Sequence, residues 1–179
     1  LDSYLHLGVK NYMLAGYGIS PGPRTMYLPL HRAAAELWQV LPGGFALSAG
    51  LRYFYWDRHF TFLTFSGEKY AGKTWFFLRN YLFFKDYGVS ASYYLGARRY
   101  FADRYNYISA TLGFGTAPDE PVLVVSDLDR LGAVSFRLGV SRQFRYNLRL
   151  EATAGYAYEE YADQEHRHRA HIRTGLYIS

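Results

Sequence analysis

The stretches VSFRLGVSRQ (134–143) and LRLEATAGYAYE (148–159) decide how the chain is read. In the first, Val134, Phe136, Leu138 and Val140 alternate with Ser135, Arg137 and Gly139, and the pattern runs on to Ser141 and Gln143. In the second, Leu148, Leu150, Ala152, Ala154, Tyr156 and Tyr158 oppose Arg149, Glu151, Thr153, Gly155, Ala157 and Glu159. A period of two puts successive side chains on opposite faces of a β-strand. Alternation sustained over about ten residues is long for a globular strand and matches the length that crosses a bilayer as a tilted strand.

Working outward, the same pattern predicts strands over 31–41, 45–56, 89–101 and 105–115, and again from Ala170 to the end. Between them stand short turn-like breaks at 42–44, 57–59, 71–73, 86–88, 102–104 and 145–146, and longer ones near 20–30, 116–131 and 162–167. Segments 60–70 and 74–85 are apolar on both sides, which leaves their orientation open. Residues 1–20 read either as one strand or as two with a turn at Asn11. One strand gives ten visible; two give eleven and require a twelfth upstream, because bacterial single-chain barrels are even-numbered. The chain begins at Leu1 without Met, and the reading expects ten strands to be visible, N-terminal sequence to be missing and twelve strands in the intact protein.

Composition narrows the class. The 179 residues suit a single domain, with 19 Tyr, 13 Phe and 3 Trp among them and no Cys, so neither a disulfide framework nor a thiolate site is available. No run of about 18 apolar residues marks a transmembrane helix. The formal charge of +5 comes from scattered single residues, and no nucleic-acid partner is expected.

The side on which the apolar face lies separates a soluble barrel from a membrane one. The polar face here carries Arg32, Glu36, Arg52, Arg98, Arg137, Arg149, Glu151, Glu159 and Arg173, together with Glu68 and Arg79. Such a set suits a wet or ion-paired lumen and fits a hydrophobic core poorly. Aromatic residues gather at strand ends: Tyr53 to Trp56, Tyr156, Tyr158 and Tyr161 at one, Tyr100, Phe101, Tyr105, Phe144 and Tyr146 at the other. Amphipathic rings at both interfaces are the girdle pattern of outer-membrane barrels. Counting connections from strand 31–41, the breaks at 42–44, 71–73, 102–104 and 145–146, all tight, fall on one rim, and 57–59, 86–88 and the long loops at 20–30, 116–131 and 162–167 fall on the other. Short turns mark the periplasmic rim, which puts the C-terminus there and the long loops outside. The expected fold is an all-β, antiparallel up-and-down transmembrane barrel forming one domain over 1–179, with lipid and lipopolysaccharide as its surroundings.

Three phrases carry a family resemblance: LPLHRAAAELWQVLPGGFALSAGLRYFYW (28–56), EKYAGKTWFFLRNYLF (68–83) and ARRYFADRYNYISATLGFGTAPDEP (97–121). In this order they resemble the YaiO family of outer-membrane β-barrel proteins, over about residues 1–121. The resemblance implies a closed barrel in a Gram-negative outer membrane, often within longer chains that carry N-terminal repeat domains, and it implies no activity. Many such barrels end in an aromatic residue read by the assembly machinery, whereas this chain ends Leu176-Tyr177-Ile178-Ser179.

The polar set Arg32, Glu36, Arg52, Glu68, Arg79, Arg98, Arg137, Arg149, Glu151 and Arg173 is the principal candidate site. It reads as ion pairs that satisfy buried charge and close the lumen, or as the lining of an anion- or sugar-guiding channel. His166, His168 and His171 flank an outer loop beside Arg167 and Arg169, and read as solvated rather than as metal ligands. The apolar run Val122, Leu123, Val124 and Val125, inside an otherwise acidic loop, is the candidate partner-contacting segment. No spacing requires a catalytic set, so no enzyme, metal or cofactor is expected. The functional expectation is a structural or anchoring barrel with its lumen largely closed, holding other envelope proteins. The alternative is a channel for an envelope polysaccharide or small solutes.

Overall fold

The computed structural model describes residues 2–20, 29–56, 59–85, 88–101, 103–115, 130–145, 148–161 and 166–178. Eleven strands follow one another as β1 (Asp2–His6), β2 (Asn11–Ile19), β3 (His31–Leu41), β4 (Phe45–Tyr55), β5 (His59–Ala71), β6 (Thr74–Lys85), β7 (Gly88–Tyr100), β8 (Tyr107–Gly115), β9 (Arg130–Arg145), β10 (Leu148–Tyr161) and β11 (His166–Ile178). Each pairs with the next in one antiparallel sheet, an up-and-down meander without crossovers. Among the described residues no ladder joins β11 to β1.

The count of ten visible strands is corrected to eleven. Residues 1–20 form two strands, and the turn lies at 7–10, ahead of Asn11, which already belongs to β2. The Leu7 N–H donates to the Asn11 carbonyl at 2.9 Å and closes it. A turn at Asn11 rests on residue type alone, whereas the register Asp2↔Gly16 to His6↔Tyr12 centres the hairpin on residue 9, two residues earlier.

At the tight rim, Pro42–Gly44 makes a single 3₁₀ turn between β3 and β4, with Gly43 and Gly44 at φ 75° and 76°. Both lie in the left-handed region, where a Cβ is penalised, so glycine is what allows so short a return.

In a one-layer sheet a side chain can be buried only if the sheet curls around it. Glu36 is 1% exposed, and Ser48, Arg52, Thr64, Ser66, Ser92, Ser141 and Glu159 are buried with it, all on one face. The opposite face presents Leu37, Leu47, Leu51, Phe65, Leu78, Leu95, Leu112 and Leu138. Polar inside and apolar outside is the inverse of a soluble barrel. The two-sided segments are also placed: Phe60, Phe62, Tyr81 and Phe83 all point inward, where Phe54 packs against them and Phe62 is 2% exposed.

Candidate functional site: the charged inner wall

Alternation within each strand, locked by the cross-strand register, puts all ten expected charges on the inner face. They form separate groups. At mid-height, Glu36 of β3 accepts from Arg52 Nη2 on β4 at 2.6 Å, from Arg79 Nη2 on β6 at 2.9 Å and from Ser48 Oγ at 2.7 Å. Ser48 in turn meets Ser66 Oγ on β5, so the cluster ties four consecutive strands. Gly50 sits opposite Glu36 and Thr64; a Cβ there would stand 2.8 Å from Glu36 Cβ and 2.7 Å from Thr64 Oγ1. Because the carboxylate is held from three sides, its stem has little freedom to give way. Gly50→Ala is therefore expected to cost about 1–3 kcal/mol, as overpacking does, measured by urea unfolding of the refolded barrel.

Nearer the tight rim, Glu68 accepts from Trp75 Nε1 at 3.1 Å. Arg98 lies over the rings of Trp75 and Tyr107, at 5.2 and 4.2 Å. Arg149 pairs with Glu151 at 3.3 Å and lies over Tyr105 and Tyr177, at 5.2 and 4.4 Å. Rings here do part of the work of counter-ions, since their faces attract a guanidinium. Arg137 and Arg173 are exposed on the inner face of β9 and β11, and Arg32 lies along Gly18 of β2.

At the long-loop end, Glu159 is 2% exposed and is held by Arg167 Nε at 2.7 Å and Arg169 Nη2 at 2.8 Å. Arg167 and Arg169, expected beside a solvated loop, instead lie on the inner face of β11. The missed signal was alternation itself: β11 begins at His166, and the register Glu159↔Arg167 aligns the pair.

The histidines split by face, His166 and His168 outward and His171 inward against Gly155. Tyr156 and Tyr158 hydroxyls meet Nδ1 of His168 and His166 at 2.6 and 2.8 Å, and Tyr17 and Tyr53 meet His31 and His59 at 2.8 and 2.6 Å. Four such pairs stand on the outward face at the long-loop rim, as an interfacial girdle requires. Phe54 and Trp56, expected in that girdle, point inward instead. Val122, Leu123, Val124 and Val125 lie outside the described residues.

A single antiparallel sheet of bilayer-spanning strands, polar within and apolar without, defines a β-barrel protein of the bacterial outer membrane. The model of the YaiO membrane beta barrel domain matches residues 1–120, and the chain belongs to that family. Among solved structures, the fold is similar to the anion-selective porin from Comamonas acidovorans, at 12% identity and a TM-score of 0.57. That match covers 99% of this chain and 57% of the porin, so the chain spans little more than half the porin's length. No match was found among curated proteins.

Proposed function

We propose that this barrel is a structural, anchoring component of the cell envelope, non-catalytic, whose lumen is narrowed by its own side chains. The observation that carries the reading is the Glu36 group. A carboxylate 1% exposed on a lumen wall has been taken from water, and Arg52, Arg79 and Ser48 replace its hydration. Beside it, the inward plate of Phe60, Phe62, Tyr81 and Phe83 supplies bulk that a water-filled passage would not favour. In the proposed orientation the tight turns and the end of β11 face the periplasm, and the long loops face outward. Lipid and lipopolysaccharide surround the wall, and other envelope proteins dock at the rims.

One observation favours a second reading. Arg137 and Arg173 are exposed on the inner face of β9 and β11, where they could attract anionic solutes or a charged polysaccharide. Single-channel recording of the folded protein in planar bilayers separates the two. The anchoring reading expects no stable conductance. A steady ohmic conductance that loses anion preference in Arg137→Ala and Arg173→Ala would overturn it in favour of the channel.

A further inference from the structure

On the apolar face, one row of the sheet runs Ala97–Ala110–Leu138–Ala154–Ile172 across β7 to β11. Elsewhere this face carries large residues such as Leu95, Leu112 and Phe136. Ala97, Ala110, Ala152 and Ala154 leave a shallow furrow of about 530 Å³ around Leu138, which stands between Ala110 and Ala154, and Ile172 borders it on β11. Its edge toward the tight rim is formed by Arg99, Ile108, Val140 and Ala152. Arg99 is exposed and has no carboxylate partner among the described residues. Asp103, the acidic residue of the following turn, accepts instead from Tyr105 N at 2.7 Å and from Asn106 Nδ2.

We infer that this furrow binds one glycerophospholipid of the adjoining leaflet, an acyl chain against the alanines and the side of Leu138 and the phosphate on Arg99. The ligand class follows from complementarity. An apolar trough with Arg99 at its edge, paired with no carboxylate among the described residues, matches a molecule with an apolar tail and one anionic head. A chain lying in the furrow touches protein on its sides as well as beneath, and so gains dispersion contacts that a flat leucine wall does not offer. Arg99 stands at strand height for the interface, and a guanidinium binds phosphate oxygens through two parallel N–H donors. The inference rests on the apolar face meeting lipid and on the proposed periplasmic orientation of the tight rim; it does not depend on whether the lumen is open.

The test uses the full chain refolded in detergent micelles, with palmitoyl-oleoyl phosphatidylglycerol as the probe and native mass spectrometry as the readout. The wild type should retain one lipid. Arg99→Gln and Ala110→Phe, which remove the cation and fill the trough, should each weaken retention by about tenfold, the loss of one charge-assisted contact. Diacylglycerol with the same tails should bind the wild type as weakly as phosphatidylglycerol binds Arg99→Gln. Heat-modifiable gel migration reports that each variant is folded, and Arg99→Lys, which keeps the charge, should recover part of the retention. Equal retention by wild type, Arg99→Gln and Ala110→Phe would overturn the inference. So would a preference for lipid A, which would place this rim on the opposite leaflet, or a dimer abolished by Ala110→Phe, which would make the trough a contact between copies.

Discussion

Glu36→Ala is expected to destabilise the folded barrel by about 3–5 kcal/mol, the cost of stranding a buried charge by removing its partner. Arg52 is nearly as buried as Glu36, its side chain 8% exposed, and would lose its counter-ion 2.6 Å away. Arg79, 30% exposed, can turn toward water and should contribute the smaller share. Urea unfolding in phospholipid vesicles, followed by tryptophan fluorescence, measures the loss. A double-mutant cycle with Arg52→Met should recover much of it, because deleting both charges leaves neither uncompensated. A loss under about 1 kcal/mol, the range of solvent-exposed pairs, would show that water reaches Glu36 and that the lumen is open at mid-height.

The second large effect concerns the outside of the wall. Leu112→Arg, at the middle of β8 on the apolar face, should cost about 2–4 kcal/mol in a bilayer, the penalty for a cation near the midplane of a barrel wall. Leu150→Arg, on the same face but level with Arg142 near the tight rim, should cost only about 0–1 kcal/mol. The contrast is diagnostic because both leucines are solvent-accessible on the isolated chain, at 50% and 41%. A soluble protein would tolerate arginine at either position. Equal and small costs in vesicles would mean that this face does not meet lipid.

Much of the fold was legible because strand alternation is a local property. Val134 to Val140 and Leu148 to Tyr158 declare their faces without reference to any partner, and the spacing of tight and long breaks sorts the two rims. Segments 60–70 and 74–85 gave no such signal. Phe60, Phe62, Tyr81 and Phe83 are as apolar as the residues that face lipid, and only the register of β5 against β4 and β6 shows them turned inward. The same held at the N-terminus, where five residues of β1 are too few to display a period, and the turn at 7–10 emerges from pairing with β2.

The charged wall divides along the same line. That Arg32, Glu36, Arg52, Glu68, Arg79, Arg98, Arg137, Arg149, Glu151 and Arg173 share one face follows from parity within each strand, so the amino-acid order determined it. Which charge meets which was decided only by tertiary structure. Glu36 finds Arg52 and Arg79 16 and 43 residues away, and Glu159 finds Arg167 and Arg169 across a hairpin. Each meeting depends on strand register, and a slip of one residue would turn a whole strand's charges to the lipid side. The period of two is intrinsic to an extended backbone, whereas register is a property of two strands and the turn that joins them.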